Sequence, residues 1–335
     1  MVAHKIFKKI LVGAICSTLI LSGCGGAEKK QGASGGKQVA IGISQIAEHP
    51  ALDNAREGFI AGLESEGFKA DENLDIDFQN AQGDIANSQL IAQNFVSQEK
   101  NLIFAIGTPA AQSAANATSN IPILITAVTD AVEAGLVENA EKSGTNVAGT
   151  SDAVPIDTQL TLMKTLLPHV EKVGILYNTS EINSEIQIRQ IKELAGDHGL
   201  EIIVVGVTNT NEVAQALQSI IGDVDVIYAL TDNVAATAMP LITTEAIERG
   251  KVVIGAESAH VESGALATDG INYYDLGFQT GLMAAKVLNG EEISEMPVST
   301  LSEMELVINE EVAEKLGITI PEDLKARAKM FTGGE

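Results

Sequence analysis

Two doubly wound α/β lobes, each a parallel sheet with helices on both faces, joined by a multi-strand hinge, are the fold this sequence predicts. Three observations predict it. Short apolar, β-rich runs alternate with amphipathic stretches with little interruption from residue 39 to residue 256. The runs are continuously apolar, as strands covered on both faces are. They also come in two successive sets of about 110 residues each, which suits two domains better than one oversized sheet.

The first set opens with VAIGI (39–43). A helical pattern over 50–66 follows, in which Leu52, Ala55, Phe59 and Leu63 recur on one face before Gly67. LDIDF (74–78) leads to a helix beginning near Asp84, and LIFAIG (102–107) to one opening at Pro109, a favoured first-turn position. IPILIT (121–126) and NVAGT (146–150) read as the next strands. The second set starts near Pro155 with a helix face of Ile156, Leu160, Met163 and Leu167, then KVGILY (172–177). Ile182, Ile186, Ile191 and Leu194 mark another helix. EIIVVGV (201–207), a helix at 213–221, DVIYAL (225–230), one helix over 235–249 and VVIGA (252–256) complete it. A helix over 273–288 and a strand near 305–308 are expected to return to the first lobe. The boundaries read as 38–153 with about 268–297 for the first lobe and 154–267 for the second. The lobe that owns 298–335 is left open.

The first residues form an address label. Lys5, Lys8 and Lys9 precede an almost uncharged apolar run, 10–21, too short for a comfortable membrane span. It ends in Leu21-Ser22-Gly23-Cys24, which resembles the lipobox of bacterial lipoproteins. That resemblance implies a signal peptide over 1–24, lipid on Cys24, and an extracytoplasmic protein anchored to the cell membrane. Residues 25–37 have the small, polar composition of a tether. The only other cysteine, Cys16, lies in the segment to be removed, so no internal disulfide or thiolate metal site is expected. The net charge of −24 argues against nucleic acid as a partner, and it repels anionic lipid, leaving attachment to acyl chains.

In open parallel sheets, ligands bind beyond the carboxyl ends of the strands. Gln45 and Glu48 follow the first strand. Thr108 and Ala110 sit where a strand meets a helix start, which offers a hydroxyl and free N–H groups to an anion; alternatively, Thr108 caps its own helix. Asn178, Glu181 and Asn183 follow KVGILY, and Asp232 and Asn233 follow DVIYAL. A carboxylate at either mouth either neutralises a ligand ammonium or caps a helix. Asp130 carries the same two readings. His49, beside Pro50, reads as a turn residue.

Several blocks resemble the ABC-transporter solute-binding lipoproteins of the tryptophan-binding type: residues 48–59 (EHPALDNAREGF), 106–115 (IGTPAAQSAA), 125–137, 174–184, 230–233, 264–281 and 306–321. The blocks keep the family's order over nearly all of the chain after the leader. The resemblance implies a type I periplasmic-binding-protein fold, an amino acid in the interlobe cleft, aromatic by preference, and delivery to ABC permease subunits by a monomer without cofactor. Ala131, and the Ala256-Glu257-Ser258 turn, depart from the pattern at loops that could face the ligand, which makes Glu257 a candidate contact. A sensor of the same fold remains the alternative. An exported α/β hydrolase is disfavoured, because no G-x-S-x-G elbow, P-loop or G-x-G-x-x-G follows a strand. The five histidines (4, 49, 169, 198, 260) show no helical metal spacing.

Overall fold

The computed structural model describes residues 38–70 and 72–333. The expected signal peptide (1–24), Cys24 and the tether (25–37) lie outside the described residues. Among the described residues, no helix is long and apolar enough to cross a membrane.

The chain begins with β1 (Val39–Gln45), α1 (Pro50–Ser65), β2 (Leu74–Asn80), α2 (Ile85–Ser97), β3 (Leu102–Ile106), α3 (Thr108–Ala117), β4 (Ile123–Thr126) and β5 (Val147–Thr150). It continues through α4 (Ile156–Leu166), β6 (Lys172–Asn178), α5 (Ile182–Ala195), β7 (Glu201–Val207), α6 (Val213–Ile220) and β8 (Val226–Ala229). Then come α7 (Asn233–Thr237), α8 (Met239–Glu248), β9 (Val252–Gly255), α9 (Ser258–Glu262) and β10 (Ala267–Gly270). The last part holds α10 (Tyr273–Leu288), β11 (Val298–Ser299), β12 (Glu305–Asn309), α11 (Glu310–Leu316), α12 (Glu322–Arg327) and β13 (Lys329–Phe331).

Two sheets result. The first has the order β11-β5-β4-β3-β1-β2 and is parallel throughout. The second, β13-β12-β10-β9-β8-β6-β7, is parallel except where β12 runs against β10. Strand geometry sends alternate side chains to opposite faces, and the cores of the second lobe show it. Val226 and Tyr228 join one apolar cluster with α4 and α5, while Ile227 and Ala229 join another with α6 and α8. Each face is covered, which is why these strands read as unbroken apolar runs. In the first lobe Phe59 of α1 stacks on Phe104 of β3, with ring centroids 3.7 Å apart.

The chain passes between the sheets after β5, after β10 and after β11, giving a hinge of three segments. Helix α10 packs on α1 in the first lobe, as expected. Strand β12 does not follow it: it pairs with β10 in the second sheet. An apolar strand carries no mark of which sheet will accept its hydrogen bonds. The open C-terminal question resolves the same way, with β11 in the first sheet and β12 and β13 in the second. One more expectation is corrected. The single helix over 235–249 is two, because Pro240 lacks an N–H and a new helix starts there.

Candidate functional site

The carboxyl ends of both sheets face one seam. On the first-lobe side, Ser44 and Gln45 end β1 and are buried. Gln45 Nε2 donates to Ala47 O (2.7 Å) and Asp53 Oδ1 (3.1 Å), but Gln45 Oε1 and Ser44 Oγ have no partner. Gly107, at φ +94°, turns β3 into α3, and a Cβ there would lie 2.5 Å from Ile46 Cγ2. Thr108 is the first helical residue and does not cap the helix with its side chain; its buried Oγ1 is unpartnered. Ala110 is buried two residues further on, in the first-lobe core. Asp130 Oδ1 accepts from Val132 N–H (3.0 Å) and Glu133 N–H (2.9 Å), so this carboxylate holds its own turn. Glu48 is exposed at the seam's edge.

The second-lobe side is a network of amides around two carboxylates. Asp232 Oδ2 accepts from Asn178 N–H and from the Ser184 hydroxyl, both at 2.6 Å, and Oδ1 accepts from Ala235 N–H at 2.8 Å. It caps α7 and ties the β6 and β8 loops together. Glu181 accepts from Asn178 Nδ2 (2.9 Å), Asn233 Nδ2 (2.7 Å) and Asn183 Nδ2 (3.3 Å). Burial, and next the charge of Asp232, raise the Glu181 carboxyl to about 7. Asn183 Oδ1 is buried without a partner.

Among the described residues, three polar side-chain contacts cross the seam. Thr129 Oγ1 meets Thr231 Oγ1 at 3.3 Å, His49 Nε2 meets Asn233 Oδ1 at 3.4 Å, and Arg189 pairs with Glu133. Two polar cavities open along the β2–β7 side, of about 470 and 400 Å3, sharing Gln82, Gly83, Glu181 and Asn209. Glu48 lines the larger.

Toward the hinge lies a buried group of titratable side chains that sequence reasoning did not assemble. The Tyr273 hydroxyl donates to Asp152 Oδ2 at 2.6 Å. Glu257 lies 3.0 Å from His260 Nε2, off the axis of a good hydrogen bond but close enough for charge pairing. Burial pushes the Glu257 carboxyl up, yet His260, His49 and Tyr273 outweigh it and leave it below its ordinary value. His49, at the turn before α1, is buried, and that burial lowers its pKa. Asp152 stands two residues past the end of β5, a strand-end position the sequence reading passed over. His49 and Tyr273 give no signal in sequence, because their company comes from distant segments.

A profile of the ABC transporter substrate binding protein family matches residues 40–331, across both lobes and the hinge. The chain belongs to this family. It is therefore an ABC transporter substrate-binding protein with the type I periplasmic-binding-protein fold, an extracytoplasmic component. It is 44% identical to a tyrosine-binding protein of Clostridioides difficile (strain R20291), over 94% of this chain and 93% of that one. A Streptococcus pneumonia domain in complex with L-Trp superposes with a TM-score of 0.85 at 37% identity, covering 88% of this chain and 99% of the other. A ligand-free, open substrate-binding protein with adhesive properties from Clostridium difficile is more similar in sequence, at 49%, over 88% of this chain and all of that one. Its TM-score is nevertheless only 0.67. The substrate-binding protein described here thus has its lobes in the closed arrangement, consistent with the contacts that cross the seam.

Proposed function

We propose that this substrate-binding protein captures a free α-amino acid with an aromatic side chain and delivers it, as a monomer, to the permease of an ABC importer. One observation carries the reading: buried polar atoms at strand ends of both lobes, Ser44 Oγ, Gln45 Oε1, Thr108 Oγ1 and Asn183 Oδ1, have no protein partner. Unpaired buried polar groups are costly, and a small polar guest between the lobes satisfies them. Thr108 and the N–H groups at the start of α3, Ala110 among them, suit the carboxylate, where the helix dipole adds to the hydrogen bonds. Asn183, Glu181 and Asn233 close over it from the second lobe. The tyrosine named for one relative and the L-Trp held by another support the aromatic class.

Each lobe supplies part of the polar contacts, so only the closed form satisfies the guest, and that differential affinity drives closure. Affinity near micromolar, about −8 kcal/mol, allows both capture and release. Calorimetry and thermal melting with the twenty amino acids, nucleosides and sugars test the reading. Tyrosine, tryptophan or phenylalanine should bind and raise the melting temperature by mass action. Stabilisation by a sugar or nucleoside and by no amino acid would replace it.

The sequence of residues 1–24 supports a second proposal, that Cys24 is acylated after cleavage and anchors the protein. Cells fed an alkyne fatty acid should label the wild type and not Cys24→Ala; an unlabelled wild type refutes the anchor.

A further inference from the structure

We infer that Asp152, at the first crossing between the lobes, is the side chain that receives the ammonium group of the bound amino acid. The inference rests on the amino-acid reading above and names one residue within it. Four buried carboxylates border the seam, and their hydrogen bonds separate them. Asp232 is committed to Asn178, Ser184 and Ala235. Glu181 is surrounded by the amides of Asn178, Asn183 and Asn233. Glu257 has His260 against it. Asp152 differs: Oδ2 accepts from the Tyr273 hydroxyl, while Oδ1 is buried and has no hydrogen-bond partner among the described residues.

The surroundings fit a cation with several N–H donors. The Thr129 hydroxyl lies beside Asp152 and 3.3 Å from the Thr231 hydroxyl across the seam, where either hydroxyl can donate, and Thr231 O in turn accepts from Asn183 Nδ2 at 3.0 Å. A second unpartnered acceptor, Asn183 Oδ1, therefore stands on the opposite wall of the same hydroxyl bridge. The Tyr273 hydroxyl fixes one carboxylate oxygen and so aims the other. Among the described residues, no lysine or arginine pairs with Asp152. Burial accordingly drives its carboxyl up to about 6, as befits an anion short of a counter-charge.

Calorimetry on the full chain tests this with L-tyrosine, L-tryptophan and the same acids lacking the amino group, hydroxyphenylpropionate and indolepropionate. The wild type should prefer the amino acids strongly. Asp152→Asn should lose about a hundredfold in amino-acid affinity, as breaking a buried charge pair does, while the des-amino acids bind within about threefold of wild type. Tyr273→Phe leaves the charge but not its aim, and should narrow the preference; it serves if Asp152→Asn does not fold. An amino preference intact in Asp152→Asn, or in Tyr273→Phe where that stands in for it, overturns the assignment alone. Equal loss of both ligand types makes Asp152 a hinge strut and likewise overturns it. A wild type that binds no amino acid sinks the underlying reading, and the assignment with it.

Discussion

Asp152 and Glu181 sit where water has been removed on both sides, and the two carboxyls respond alike. Burial raises Asp152 from 3.8 to about 6, with Glu257 adding to the rise and the hydroxyls of Tyr273 and Thr129 opposing it. Glu181 rises from 4.5 to about 7, with Asp232 adding and the amides of Asn233, Asn178 and Asn183 opposing. The imidazoles of His49 and His260 face Glu257 in this group. An acid whose folded pKa is raised favours the folded chain while protonated, and that advantage is lost as the pH climbs through the folded value. For Asp152 the loss is on the order of 3 kcal/mol. The window runs from about pH 4 to about pH 6, between the unfolded and folded values. In that window, ligand-free wild type should lose melting temperature relative to Asp152→Asn, and Asp152→Asn should be the more stable of the two above it. Parallel melting curves across the window would show that the carboxyl is not held in a dry site. Added amino acid should reverse the trend, because an ammonium keeps Asp152 ionised.

Among the elements, what was legible followed from local pattern, and what was not depended on distant partners. Strand β7 (Glu201–Val207) and helix α10 (Tyr273–Leu288) fall where apolar runs and helical spacing put them. Asp84 caps α2, accepting from Ala86 and Asn87 N–H, as its place before the helix suggested. The glycines inside α1 and α10 have no such local reason. Gly in a helix costs about 1 kcal/mol relative to Ala, yet Gly58 and Gly62 of α1 face Gly277 and Gly281 of α10. A Cβ on Gly277 would lie 1.9 Å from Ala55 O, and one on Gly58 2.0 Å from Tyr274 O. The two backbones touch, across more than two hundred residues of chain, and no window of sequence shows that. The same limit applies to the site. The strand-end rule led to Thr108, Asn178, Glu181 and Asp232 because each stands at a strand's carboxyl end or within three residues of it. It could not show that Asp232 is consumed by capping, nor that three crossings bring Tyr273, Glu257 and His49 around Asp152.

For the whole molecule, closure brings together surfaces that belong to different lobes, and the exposed Glu133–Arg189 pair is the contact on which it can be tested without touching the ligand. Glu133 stands in the loop after β4 and Arg189 on α5, each about half exposed. An exposed ion pair contributes little, about 0.2–1 kcal/mol, and less at high salt. Because the pair spans the two lobes, that small energy acts on the open–closed balance. Glu133→Arg should therefore speed ligand release about two- to fivefold, with little effect on the melting temperature of the ligand-free protein. Restoring opposite charges with Glu133→Arg/Arg189→Glu should return the release rate to that of wild type. Stopped-flow displacement gives the rate, and small-angle scattering should show a larger ligand-free radius for the single variant that shrinks on adding amino acid. If the double exchange releases as fast as the single variant, the pair is a surface ornament and closure is governed by the buried seam alone.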